Sequence, residues 1–401
     1  MSVPMRIAEM VGHAYAGRWM DPLLAGFKAR GHEVALVLPG EGPLADRARA
    51  MGIPIHFRPL PKRHRRIRDI ESYTRDVAQW LREFRADVAH MHLFPGALWA
   101  RLAAWRACVP VRATQWPGPA PLEYFLFRQI DNATAWMDTA LIGGCRWVEE
   151  HYRKRLLTRH KAFCVHYPVD TSPFDPTLDG RPIRDELGIP LDALVISLIA
   201  YMYPPLSASG ILRPPRHLLG GSIKGHEILI QAVPKVLRQR PDAYFLIVGD
   251  VLIPEFGASY PVSLRRMAAK LDVGNHIIFT GFRKDVARIL AATDIPVVPS
   301  ITENLGGAVE PLLMEKPVVA SRVGGLPDVV QNGETGILVP PRNPAALADA
   351  ILQLANIPPE TRREWGRQGR QKTLDLCSPD RCVDALEKIF QSQLRHGERQ
   401  S

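Results

Sequence analysis

No apolar run in this sequence reaches the roughly 18 residues that a membrane span requires, so a membrane-spanning chain is not expected. The N-terminal stretch MSVPMRIAEMVGHAYAGRW also lacks a long apolar h-region. It reads as a first strand beginning at Met5, which sets the expectation of no signal peptide and a cytoplasmic location. Cysteine is scarce: Cys108, Cys145, Cys164, Cys377 and Cys382 are odd in number, scattered, and form no C-x-x-C pair. That argues against both a disulfide framework and a zinc site. Aromatic residues make up 7% and are not clustered as a base-stacking surface requires, so nucleic acid is not an expected partner. No paired aspartates follow a strand to hold a divalent ion, and no metal is expected.

What the chain does have is length and charge. Its 401 residues exceed a single hydrophobic core and suit two domains of ordinary size. Hydrophobic residues at 46% and charged residues at 23% are values of a globular protein. The excess of 51 Lys+Arg over 41 Asp+Glu, +10 in all, biases the chain toward anionic partners such as phosphates, nucleic acid or a lipid surface. Part of that excess lies in PKRHRRIR (61–68), where Lys62, Arg63, Arg65, Arg66 and Arg68 precede a helix. The run reads either as a solvated loop or as a weak, salt-sensitive contact with an anionic membrane at its inner face.

Short apolar runs alternate with amphipathic stretches from MRIAEMV to ADVAHMH, and again from ALVISLIAYMY to PAALADAILQLAN. This β-α alternation, repeated twice, predicts an α/β protein with two doubly wound Rossmann-like domains, each a parallel sheet covered on both faces. The Pro- and Asp-rich stretch 165–190 is the expected seam. It divides an N-terminal domain (1–175) from a C-terminal one (176–375), with residues 376–401 expected to return as a helix to the first. One stretch, YPPLSASGILRPPRHLLGGSIKGHE (203–227), separates a strand from its helix by far more than the usual βα loop.

Ligands of open α/β sheets bind beyond the C-terminal ends of the strands, which directs attention to three loops, at 203–226, 280–285 and 300–310. Lys224 and Gly225 stand at a predicted helix start, where free amides and a lysine charge suit a phosphate. IPVVPSITENLGG reads as a strand, a loop with Glu303, Asn304 and Leu305, then Gly306 and Gly307 opening a helix near Ala308. Glu303 and Glu310 offer carboxylate oxygens to sugar and ribose hydroxyls, although glutamates at helix starts are also favoured by the helix dipole alone.

The segment PSITENLGGAVEPLLMEKPVVASRVGGLPDVVQNGETGILVPPRNPAALADAI resembles the donor-binding region of retaining glycosyltransferases of family 4, which have the GT-B fold. IKGHEILIQAVPKVLRQRPDAYFLIVGD, IIFTGFRKDVARILAATDIPVVPS and VHYPVDTSPFDP are similar to further family elements in the same order. The match is dense from about 194 to 356 and looser over 5–175. The resemblance implies two domains facing a central cleft and transfer of a sugar, with retained configuration, from a nucleoside diphosphate sugar to an unidentified acceptor. UDP-sugar is favoured over GDP-sugar, and neither cofactor nor metal is implied. It assigns Glu303, Lys224 and His92 to catalysis, and Asn304, Leu305, Gly306, Gly307, Glu310, Phe282, Arg283 and Gly17 to the donor. It places His92 toward the ligand and His90 on the opposite side of the strand, with His13 and His90 as acceptor candidates.

The sequence departs from the family pattern in four places. Glu303 and Glu310 are one residue closer together, Glu315 stands where the family has a glycine at a helix end, and HAYAGRW replaces a Gly-Gly loop. The arginine that partners the lysine on the diphosphate is missing from AYMYPP, leaving Arg213 or Arg216 to stand in. A sugar-nucleotide epimerase or phosphorylase of the same fold is the enzymatic alternative, and a membrane- or nucleic-acid-binding protein the non-enzymatic one.

Overall fold

The structure is a computed structural model, and it describes residues 3–15, 17–61, 67–207, 213–252 and 257–398. The chain divides into two compact units, 1–170 with 376–401 and 171–375.

In the first unit, β1 (Arg6–Val11), β2 (Glu33–Leu38), β3 (Ile55–Phe57), β4 (Val88–His92), β5 (Val111–Trp116), β6 (Ala140–Gly143) and β7 (Ala162–Cys164) form one parallel sheet. Its order is β3-β2-β1-β4-β5-β6-β7. Parallel strands covered on both faces must be apolar throughout, and β1, β2 and β4 are buried along almost their whole length. The C-terminal helix Pro379–Glu398 belongs to this unit. Its Cys382, Val383, Leu386 and Phe390 enter the same core as Ile7, Leu23 and Phe27. Arg30 ties its start through Asp384 at 2.7 Å.

In the second unit, β8 (Val195–Ile199), β9 (Tyr244–Val248), β10 (Ile277–Gly281), β11 (Ile295–Val298), β12 (Val318–Ser321) and β13 (Gly336–Val339) run parallel in the order β10-β9-β8-β11-β12-β13. The order reverses between β8 and β11, the switch point at which open sheets of this kind bind ligands. Two of the three loops singled out above, 203–226 and 300–310, follow the strands at that point. Leu206 exchanges backbone hydrogen bonds with Gly220 and Gly221, so the long insertion closes on itself. Arg342 holds its far side through the carbonyls of His217 and Leu219.

One expectation is corrected, and another lies mostly outside the described residues. The helix predicted to open near Ala308 runs Gly306–Leu313, so Glu310 lies in its second turn rather than its first, and Pro311 sits inside it. Proline has no N–H to return to the carbonyl four residues back, which leaves the Gly307 carbonyl without its helical partner. Of the basic run 61–68, Lys62, Arg63, Arg65 and Arg66 lie outside the described residues, and the helix Ile67–Glu83 begins just after them.

Candidate functional site

Gly225 sets the geometry of the second unit's site. It has φ +69° and caps the helix His226–Leu237, and a Cβ there would lie 2.1 Å from the Pro299 carbonyl oxygen. Only glycine can take that conformation against that backbone. The close approach brings the loop after β8 alongside the loop after β11, where the Ile301 amide donates to the Ile223 carbonyl at 2.9 Å. Lys224 therefore projects at Glu303, its Nζ 2.5 Å from Oε2.

Glu303 is buried and held from several sides. The Ser300 hydroxyl donates to Oε2 at 3.0 Å and the Asn304 amide to Oε1 at 3.2 Å, while the Glu303 carbonyl accepts from the Gly325 amide. Asn304 turns back so that its Oδ1 accepts from the Gly306 amide at 2.8 Å. Gly307 packs against Val298, where a Cβ would come within 2.9 Å of Cγ1. The helix Gly306–Leu313 thus starts hard against the end of β11 with its amides beside the Lys224–Glu303 pair. A cation, an oriented carboxylate and a helix N-terminus meet at one strand end, a set of groups chemically able to bind an anionic, hydroxyl-rich ligand.

A second group of residues supports the lysine and was not legible in the sequence. Glu227, in the first turn after Gly225, accepts from the Ser222 amide at 2.7 Å, the Ser222 hydroxyl at 2.5 Å and the Tyr260 hydroxyl at 2.7 Å. The Ser222 hydroxyl oxygen in turn accepts from the Gly225 amide at 3.1 Å. Tyr203, at the start of the insertion, is half-buried. Burial pushes its hydroxyl up, while the charges of Lys224 and Glu303 act on it in opposite directions.

Other assigned residues fall differently. Arg283 does not stand free for a donor: Glu186 and Asp285 both pair with it, the latter at 2.7 Å. Phe282 beside it is exposed and stacks on Tyr201 with centroids 6.2 Å apart. Arg213 and Arg216 are exposed on the insertion. Glu310 is half-buried. In the first unit His13 and Gly17 lie exposed in the loop after β1.

The expectation for His92 and His90 is overturned. Residues two apart on a strand share a face, so the two imidazoles point the same way rather than to opposite sides. Both are fully buried, with ring centroids 4.0 Å apart. The β1–β4 register sets Glu9 opposite His90, and the buried Glu9 carboxylate bridges both rings. His90 Nδ1 lies 3.1 Å from Oε1 and His92 Nε2 2.7 Å from Oε2. With Nε2–H donating to Glu9, His92 Nδ1 lies 3.0 Å from the Tyr167 oxygen, whose hydroxyl donates to the Gln115 carbonyl at 3.2 Å, and Trp19 covers the group at 5.2 Å from the His92 ring. Burial pushes His92 down to about 4, with His90 adding to that and Glu9 opposing it. Burial would raise the Glu9 carboxyl, but attraction and hydrogen bonds from His90 and His92 outweigh it and hold it at about 2. Glu9, His90 and His92 thus form a buried ion-and-imidazole network on one face of the sheet. A glutamate in the middle of the apolar run RIAEMV was the available signal, and only strand pairing connects it to HMH.

Two doubly wound sheets with a charged site at the switch point of the second define a GT-B protein. Residues 16–168 match the family model described as "Glycosyl transferase 4-like domain", and residues 221–372 match "Glycosyl transferases group 1". The chain belongs to the glycosyltransferases of family-4 type. Among curated proteins it is similar to D-inositol 3-phosphate glycosyltransferase of Corynebacterium efficiens, 34% identical over 189 residues, 46% of this chain and 39% of the relative. It is also similar to N-acetyl-alpha-D-glucosaminyl L-malate synthase of Bacillus anthracis, 29% identical over 174 residues, 43% of each chain. The match spans only about two fifths of the length of those relatives. Among solved structures, a glycosyltransferase from Rickettsia africae superposes with TM-score 0.78 at 19% identity, covering 98% of this chain and 99% of the other. Anabaena HepE in complex with UDP superposes with TM-score 0.78 at 18% identity, covering 97% of this chain and all of the other. These likenesses are of fold.

Proposed function

We propose that this chain transfers a sugar from a nucleoside diphosphate sugar to an acceptor hydroxyl with retention of configuration and without a metal ion. The observation that carries the reading is the Lys224–Glu303 pair beside the N-terminus of Gly306–Leu313. Before donor binds, the carboxylate satisfies the half-buried lysine. A diphosphate arriving at the helix start would take the Gly306 amide from Asn304 Oδ1, draw Lys224 Nζ to its oxygens and release Glu303 Oε2 to accept from a sugar hydroxyl. Cleavage of the bond from the anomeric carbon to the β-phosphate oxygen then develops charge where the lysine and the helix amides already point. The acceptor oxygen attacks the same face of the sugar, and its proton passes to the departing phosphate oxygen, so no enzymic nucleophile is required.

UDP is the first nucleotide to test, because the Anabaena relative of the same fold is solved with UDP and with UDP-glucose. GDP is the second. Glu310 is proposed to reach the ribose from the second helical turn, Phe282 to border the base, and Arg213 or Arg216 to add a second cation. His13 and Gly17 remain the first unit's candidates for acceptor and donor contact, while His92 and His90 leave the list. The reading is tested by incubating the protein with UDP-glucose and UDP-N-acetylglucosamine, with and without a panel of inositol phosphate and hydroxy-acid acceptors, and following the anomeric proton by NMR. An acceptor-dependent product of retained configuration supports the reading. Inverted product, or conversion of the donor with no acceptor present, contradicts it.

A further inference from the structure

The backbone fixes Tyr203 from both sides. Upstream, the chain keeps pairing beyond the end of β8: the Ala200 amide donates to the Val248 carbonyl and the Met202 amide to the Asp250 carbonyl, each at 2.9 Å. Met202 pairs with Val251 in a parallel bridge and is buried in the core of the second unit. Downstream stand Pro204 and Pro205, whose rings fix φ and hold Tyr203 itself to extended backbone. The Leu206 amide then donates to the Gly221 carbonyl at 3.1 Å, and the Leu206 carbonyl accepts from the Gly220 amide at 2.9 Å. Tyr203 is thus held where the insertion begins, beside the point where it returns to Ser222 and Lys224.

Lys224 and Glu303 both act on the Tyr203 hydroxyl. Burial holds that hydroxyl above the usual tyrosine range, with Lys224 opposing and Glu303 adding to the effect, so it keeps its proton and serves as a donor. The hydroxyls around it already have acceptors. Those of Ser222 and Tyr260 donate to Glu227, and that of Ser300 donates to Glu303. The half-buried Tyr203 hydroxyl has no hydrogen-bond partner among the described residues.

We propose that the Tyr203 hydroxyl donates to the β-phosphate of the bound nucleoside diphosphate, alongside the Lys224 ammonium. This role rests on the reading of Lys224 and Glu303 as the donor site. Lys224 turns to the diphosphate oxygens in that reading, and of the two charges it acts the more strongly on Tyr203. A neutral hydroxyl adds a hydrogen bond there without a second charge to desolvate. Because the backbone already holds the residue in place, little freedom is lost when the ligand arrives. As the bond from the anomeric carbon to the β-phosphate oxygen breaks, charge grows on that phosphate and the hydrogen bond strengthens.

The test is calorimetric titration of UDP, GDP and ADP, each beside its monophosphate, into wild type, Tyr203→Phe and Lys224→Ala. Phenylalanine keeps the ring and removes only the oxygen, and an unchanged thermal midpoint checks that the variant is folded. For the nucleotide that binds, Tyr203→Phe is expected to weaken the diphosphate about tenfold and to leave the monophosphate unchanged. A purely structural role would weaken both alike. Diphosphate affinity equal to wild type in Tyr203→Phe but lowered in Lys224→Ala overturns the role of Tyr203 and leaves the donor site standing. Equal weakening of diphosphate and monophosphate by Tyr203→Phe overturns that role too. If no diphosphate binds the wild type, or Lys224→Ala binds it equally well, the donor-site reading fails and the role of Tyr203 fails with it.

Discussion

Replacing His92 with glutamine should flatten the acid sensitivity of the first unit. The variant keeps a donor near Nε2 for Glu9 and removes the titrating ring. In the folded chain His92 is held down to about 4, against 6.5 for a free imidazole. A depressed folded value means that the unfolded chain binds the extra proton first. The stability His92 contributes is thus fully present above about 6.5 and is lost as pH falls toward 4. The step from 6.5 to about 4 corresponds to about 3 kcal/mol at 1.36 kcal/mol per pH unit. Asp138 works in the opposite sense. Burial pushes it up to about 6, so its contribution is present below its unfolded value and lost as pH rises through 6. That term is common to both proteins and cancels in their difference. The assay is hydrogen exchange at the amides of β1 and β4, corrected for intrinsic rates, at several pH values from 7 to 4. Wild type should lose about 3 kcal/mol more protection than the variant over that range. Parallel profiles would show that His92 is not buried neutral against Glu9, and the reassignment from catalysis to structure would fail.

Gly225→Ala should destabilise the second unit by about 2 kcal/mol or more, since its Cβ would meet the Pro299 carbonyl at 2.1 Å in a left-handed conformation. Denaturant unfolding checks this, and an unchanged midpoint would contradict the close approach. Glu315→Gly should stabilise by about 1 kcal/mol, because Glu315 sits at φ +54° where a side chain is strained. Calorimetry showing no gain would mean that the side chain has compensating contacts. Transfer activity should survive EDTA, since protein groups are proposed to meet the diphosphate charge. A strict Mg²⁺ or Mn²⁺ requirement in the same assay would refute that part of the mechanism.

The alternation of apolar runs with amphipathic stretches was enough to read both parallel sheets, because strands buried on two faces leave an unbroken apolar signature. The segment around Glu303, Gly306 and Gly307 was likewise legible, since a strand end, a loop and a glycine-opened helix follow one another along the chain. Contacts across the sheet were not. Glu9 meets His90 and His92 across sequence separations of 81 and 83 residues, and only the β1–β4 register joins them. Lys224 meets Glu303 across 79, through a glycine whose role is visible only against the Pro299 backbone. The capture of Arg283 by Glu186 arises the same way. The start of the helix at Gly306 was misread because glycine is a poor helix former by propensity, and packing of Gly307 on Val298 overrides it.

Calorimetric titration of UDP, GDP and ADP into wild type and Lys224→Ala tests most directly whether Lys224 and Glu303 form a nucleoside diphosphate site. One nucleotide is expected to bind the wild type, and Lys224→Ala to weaken it about 10- to 100-fold, the loss of a charge-assisted hydrogen bond of about 1.5–3 kcal/mol. No binding of any of the three to the wild type, or an equal dissociation constant in the variant, would contradict it.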